Sequence, residues 1–230
     1  GMNTAAILVD TIFATEGLPN MPVGAMEKAV AAVHAAGGYY IADEVQPGFG
    51  RTGENMWGYQ LYGAAPDLVT MGKPMGNGHP LAGVVSKPEL AEEFGAKAMY
   101  FNTFGGNPVA AAVGLAVLQV IAQEDLQANA LKVGNHLRAG LRKLAETRDI
   151  IGDVRGHGLF TAVEFVRDRT AKTPAPEAAS AVVDAMRERG VLISRTGRDD
   201  SMLKIRPPLP FSAENADLLL ETLDASLAAL

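Results

Sequence analysis

Two short runs of the chain end abruptly on groups that no strand interior would hold, and this limits the possible folds more than any other feature. Tyr39-Tyr40-Ile41-Ala42 stops at Asp43-Glu44, and Asp67-Leu68-Val69-Thr70-Met71 stops at Gly72-Lys73. Runs of this length, dominated by branched and aromatic residues, predict buried strands. Ahead of the first run, residues 25–36 have the composition of a helix, and Gly37-Gly38 supplies a left-handed stop. Alternation of this kind predicts an α/β fold with a largely parallel sheet. Such sheets bind ligands beyond the carboxyl ends of their strands. A carboxylate at 43 and an amine at 73 are therefore expected where chemistry is done.

The remaining pattern extends this reading. Residues 5–13 predict a strand, 46–63 a structured loop rich in glycine and aromatics, and 81–85 a further strand. Ser86-Lys87-Pro88-Glu89 matches a capping box and predicts a short helix. Asn107-Pro108 opens a long Ala/Val/Leu helix, with proline at a tolerated position, and a second helix is expected over 126–146. Beyond this the alternation changes. Strands over 158–166, 191–194 and 202–206, with helices over 177–189 and 212–229, predict an α+β unit with its own core. The charged, proline-containing connection 167–176 is expected to be a mobile loop. The domain expectation is thus part of a large domain over 1–125 and a small α+β domain over 126–230.

Composition excludes several classes of function. The chain has 230 residues, 48% of them hydrophobic, and a net charge of −6, enough for a sizeable core. Mild acidity without a basic cluster argues against nucleic acid and anionic membranes. The absence of cysteine removes disulfides, thiol catalysis and thiolate-bound zinc, and fits a cytoplasmic location. The longest apolar stretch, 109–122, is too short to span a membrane and is interrupted by Gln119. Gly1-Met2 reads as a cloning scar before a native start. His34, His79, His136 and His157 show no metal-binding spacing, and no metal is expected.

A lone lysine is usually a solvated surface group. Lys73 instead follows an apolar strand, among glycines and prolines, where withdrawal from water would make its amine nucleophilic toward aldehydes. Asp43, taken alone, is an ordinary strand-end residue capping a turn. Set against a pyridine nitrogen, a carboxylate keeps the ring protonated and electron-withdrawing. The two together suit pyridoxal phosphate, which has both an aldehyde and a ring nitrogen. Gly48-Phe49-Gly50-Arg51-Thr52-Gly53 matches a dinucleotide fingerprint literally, but no helical period follows it, so a glycine-rich turn is the better reading. Thr103-Phe104-Gly105-Gly106-Asn107-Pro108 suits either a phosphate at a helix N-terminus or plain helix capping. Arg206, before Pro207-Pro208, is either a surface residue or a clamp on a carboxylate.

Together these segments resemble the class III aminotransferases, pyridoxal-phosphate enzymes of fold type I. The resemblance rests on Ile41-Ala42-Asp43-Glu44-Val45-Gln46, on Gly48 to Gly53, and on Pro66-Asp67-Leu68-Val69-Thr70-Met71-Gly72-Lys73. Phe101 to Pro108, Gly152-Asp153-Val154-Arg155-Gly156-His157-Gly158-Leu159 and the Arg206-Pro207-Pro208 ending also match. It implies that Lys73 forms an aldimine with the cofactor aldehyde and shuttles the proton, while Asp43 pairs with the ring nitrogen. Val45 would pack on the ring and Gln46 would bond near the phenolic oxygen. Thr103 would reach the phosphate held by a neighbouring subunit, which makes a homodimer the expected partner. Arg206 would bind a substrate carboxylate.

Family members are about twice this length, so the chain resembles their C-terminal half, and weak cofactor binding by this polypeptide alone is expected. The activity implied is transfer of an amino group from an amino acid or ω-amine to an α-keto acid. Gly72 to Pro80 and Asn102-Thr103 are also close to a phospho-lyase branch acting on amino-alcohol phosphates. A third reading is a catalytically silent fragment that dimerises or pairs with an N-terminal half.

Overall fold

The computed structural model describes residues 4–229; the Gly1-Met2 reading lies outside them. The chain divides into two compact units. One comprises residues 4–11, 21–49 and 55–125, and the other comprises 12–20, 50–54 and 126–229.

The first unit is built on a four-stranded sheet of order β1-β2-β3-β4. β1 (Ala6–Asp10) and β2 (Tyr39–Asp43) are parallel, as are β2 and β3 (Leu68–Met71). β4 (Gly83–Ser86) runs antiparallel to β3, so the largely parallel sheet acquires a reversed edge. The connection from β3 to β4, residues 72–82, holds one 3-10 turn and no α-helix of the kind that carries a parallel crossover. α1 (Ala25–Ala35) links β1 to β2 and stops where Gly37 adopts φ +79. Met26 and Val30 are its buried residues.

β1 is shorter than its apolar run because the chain turns after Asp10. The capping box does not form. Ser86 is the last residue of β4, and α2 (Pro88–Lys97) starts from Lys87 with no side-chain cap. α3 (Pro108–Gln123) is capped by its own Asn107, whose Oδ1 accepts the Ala110 N–H at 2.9 Å.

The second unit packs α4 (Leu126–Thr147), α5 (Pro176–Glu188) and α6 (Ala213–Leu227) against a sheet of order β5-β6-β9-β8. Its strands are β5 (Ile151–His157), β6 (Phe160–Asp168), β8 (Ser194–Thr196) and β9 (Met202–Ile205), all paired antiparallel. β5 has no counterpart among the expected strands, and β8 lies later than the expected 191–194. The connection expected to be a mobile loop is a hairpin. Within it β7 (Thr173–Pro174) pairs with β6, and Arg167 is ion-paired with Glu177 at 2.7 Å. Leu137, Leu141, Val163, Phe165, Val182, Met186, Leu203 and Leu223 are fully enclosed. Each such side chain contributes about 1.5–3 kcal/mol of hydrophobic stabilisation.

Candidate active site

The carboxyl ends of β1, β2 and β3 form the chemically dense edge of the first unit. Asp10 lies opposite Asp43 in the β1–β2 register, and Asp43 lies opposite Thr70 in the β2–β3 register. Neighbouring strands are about 4.8 Å apart, so the two aspartates stand side by side. Lys73 follows the end of β3 by two residues. Asp43 and Lys73 thus leave adjacent parallel strands at the same end, as the ligand-binding edge of an open sheet requires.

Lys73 opens a short 3-10 turn, Lys73–Gly76, closed by the Met75 N–H donating to the Gly72 carbonyl at 2.8 Å. Its φ is +20, a conformation that L side chains rarely adopt. Strain of this kind costs about 1–3 kcal/mol and clusters at functional positions. The side chain is exposed, which corrects the expectation of a lysine withdrawn from water. Gly72 is buried, and a Cβ built on it would meet both Val45 methyl groups at 3.7 Å. Val45 therefore lies against the backbone that carries Lys73. Its own N–H donates to Asp43 Oδ1 at 2.9 Å. Gln46 turns its amide toward Asp10, with Nε2 donating to Oδ2 at 3.5 Å. Lys73, Asp43, Val45 and Gln46 are accordingly gathered on one edge.

Thr103 is exposed, in a turn organised by Asn102, whose Oδ1 accepts the N–H groups of Phe104 and Gly105 at 3.1 and 2.9 Å. Arg206 belongs to the second unit. It is exposed after β9 and lines a cavity of about 710 Å³ with Leu192, Ile193, Lys204, Phe211 and Leu218.

Two residues at the heart of these units were not singled out in the sequence. Glu44 is fully buried; its carboxylate accepts the Gly58 N–H at 2.7 Å, the Tyr59 N–H at 2.8 Å and the Thr11 hydroxyl at 3.2 Å. Burial pushes its carboxyl above the usual range, against the pull of those donors. Arg51, in the second unit, donates from Nη1 to the carbonyls of Leu159 and Pro207 at 2.9 and 2.7 Å. Burial, then the neighbouring Arg206 charge, lowers its pKa to about 10. No helix begins on the glycines around Arg51, so the dinucleotide geometry is absent. An acidic residue directly after a strand-end aspartate was the available signal for Glu44. For Arg51 the signal was a cation inside a glycine turn.

The edge of β1–β3 offers a side-by-side carboxylate pair, an amine on a strained turn and an apolar surface at Val45. That set suits capture of a carbonyl compound beside a basic ring nitrogen. The aminotransferase class-III model matches residues 1–227. Alanine–glyoxylate aminotransferase 2 homolog 2, mitochondrial, of Arabidopsis thaliana is 46% identical over 224 residues, covering 97% of this chain and 46% of that protein. Among solved structures, a phospholyase from Arthrobacter in complex with phosphoethanolamine superposes with a TM-score of 0.97 at 51% identity, covering 100% of this chain and 55% of its own. An amine transaminase from an uncultivated Pseudomonas species, solved in its PLP-bound form, gives 0.88 at 31% identity, covering 97% and 52%. The chain spans about half the length of these relatives. By the extent of the family match and the identity to these proteins, the chain belongs to the class-III aminotransferases.

Proposed function

We propose that this chain carries the lysine-centred half of a pyridoxal-phosphate enzyme that moves an amino group from an amino acid or ω-amine to an α-keto acid. One observation carries the reading: Asp43 and Lys73 leave neighbouring parallel strands at the same end. When bound, the cofactor supplies an aldehyde that captures the substrate amine and a ring that withdraws electrons from the carbon bearing it. Asp43 would hold a proton on the ring nitrogen. Val45 would present its methyl groups to the ring, and Gln46 would supply an amide near the phenolic oxygen. Lys73 would hold the aldehyde end of the cofactor, and its amine would move a proton at the substrate carbon. Thr103 would donate a hydroxyl to the phosphate held in a second copy of the chain, and the working unit would then be a homodimer. Arg206 holds the acidic end of the substrate.

The 51% identity to the Arthrobacter phospholyase supports a second reading, elimination of phosphate from an amino-alcohol phosphate. Lys73 and Asp43 keep their roles, and Arg206 meets a phosphate instead of a carboxylate. Phosphate release without keto-acid consumption distinguishes this from amino transfer.

The first test compares wild type with Lys73→Ala after addition of pyridoxal 5′-phosphate. Wild type is expected to develop a visible band that borohydride abolishes, with weak affinity because the chain spans half of its relatives. The variant is expected to show only the free cofactor spectrum. Equal spectra would remove Lys73 from the chemistry.

A further inference from the structure

One residue ties together the strand ends that carry Asp10, Asp43 and Lys73, and it is neither of the two groups assigned to the cofactor. Glu44 makes five hydrogen bonds. Its N–H donates to the Thr70 carbonyl at 2.9 Å, which extends the β2–β3 ladder to three residues before Lys73. Its carbonyl accepts the Gly48 N–H at 3.1 Å, closing the turn that contains Val45 and Gln46. Its side chain accepts from Thr11, directly after β1, and from Gly58 and Tyr59, where the loop after Gln46 returns.

The packing around this point leaves no slack. A Cβ on Gly58 would lie 2.3 Å from Thr11 Oγ1 and 2.7 Å from Pro47 Cβ. A Cβ on Gly48 would lie 2.7 Å from the Glu44 carbonyl oxygen and 3.0 Å from the Trp57 ring. Both positions are closed to anything but glycine, so the loop has one way to lie on the Glu44 carboxylate.

The chemistry of the side chain is equally restrictive. Oε1 receives the Tyr59 N–H and the Thr11 hydroxyl, and Oε2 receives the Gly58 N–H. Two acceptor oxygens facing separate N–H donors require a carboxylate, since a glutamine would set an NH₂ group against a donor. Burying that anion costs several kcal/mol of desolvation, offset only while its donors stay in place. This arrangement is costly for a loop that needed merely to be tethered.

On the functional reading above, the orientation of the Asp43 carboxylate is decisive, and that orientation is recorded by the Val45 N–H held at 2.9 Å from Asp43 Oδ1. The turn making this bond is the one that Glu44 closes. We infer that Glu44 is a positioning residue. From the opposite face of β2 it fixes the Asp43–Gln46 turn, and so sets the direction of the Asp43 carboxylate relative to Lys73. It touches neither cofactor nor substrate.

The test uses the chain without cofactor and reads amide hydrogen exchange in wild type, Glu44→Gln, Thr11→Val and Lys73→Ala. Glu44→Gln is expected to speed exchange at Gly58 and Tyr59 and, with them, at Val45, by at least tenfold. Leu137 and Phe165, in the core of the other unit, are expected to stay protected. Thr11→Val removes one of the three side-chain donors and is expected to speed Val45 by a smaller factor, which keeps the test open if Glu44→Gln does not fold. Lys73→Ala is expected to leave Val45 unchanged, so failure of the lysine chemistry and failure of this inference are read separately. Faster exchange at Gly58 and Tyr59 with Val45 at its wild-type rate would reduce Glu44 to a loop tether and overturn the proposal, as would no change at any of these sites. With pyridoxal 5′-phosphate added, Glu44→Gln is also expected to weaken the visible band at least tenfold in apparent affinity; wild-type affinity would overturn the positioning role.

Discussion

Asp67 shows how much of this chain's local order rests on single charges. Its carboxylate is 4% exposed and accepts the Tyr40 N–H and His34 Nε2, each at 2.7 Å, and the Lys87 ammonium. Burial alone would raise its pKa. The Lys87, Tyr40 and His34 bonds reverse this and hold it at about 2. An acid held below its unfolded value of about 3.9 contributes stability that is complete above that value and lost as pH falls through the folded one. Asp67→Asn is therefore expected to cost about 1–3 kcal/mol at neutral pH and to flatten the loss of stability between pH ~4 and ~2, measured by urea unfolding across pH. None of these three partners could be inferred from the residue itself, because they lie 27, 33 and 20 positions away. The same holds for Glu44, whose backbone donors follow it by 14 and 15 positions and whose hydroxyl donor, Thr11, precedes it by 33. The strand-end placement of Asp43 and Lys73 was legible for the opposite reason: each ends an apolar run, and only the local pattern was needed.

At the level of elements, α4 and the turn between β5 and β6 fit through a single glycine. A Cβ on Gly134 would sit 1.9 Å from the Gly158 carbonyl oxygen, which also accepts Arg138 Nη1 at 2.6 Å. Gly134→Ala must push the helix off that turn, at an expected cost of about 3 kcal/mol or more, seen as a lowered urea midpoint. Glycine in a helix interior is otherwise unfavourable, so its presence was a packing signal that the apolar pattern did not decode. β5 was unreadable for a related reason. Ile151 and Val154 are its buried residues, spaced by three because a bulge shifts the register between Ile151 and Asp153. Alternation was the property that identified strands, and a bulge destroys it. The unformed capping box has its own cause: Ser86 remains paired with Leu68 in the β-ladder and is not available to cap a helix.

For the molecule as a whole, the first unit carries much exposed apolar surface. Leu8, Val84, Phe94, Met99, Val109 and Leu115 are between 54% and 98% exposed among the described residues. Surface of this kind favours association, and the chain is expected to be dimeric or larger by light scattering. Val109→Glu with Leu115→Glu should lower the measured mass, whereas a monomeric wild type at micromolar concentration would count against the dimer. The α/β class and the family were readable from ordered motifs along the whole chain. The distribution of exposed surface was not, because the same Ala/Val/Leu pattern marks helices enclosed by their own domain and helices that are not.

The backbone of Lys73 has a final consequence. At φ +20 the position suits glycine or asparagine better than any other residue. Losing the amine to either of those would relax the turn, whereas arginine would keep a cation and inherit all of the torsional penalty. The lysine thus sits against the conformational preference of its own main chain, and any change that gave up the amine for a smaller residue would make a more comfortable turn.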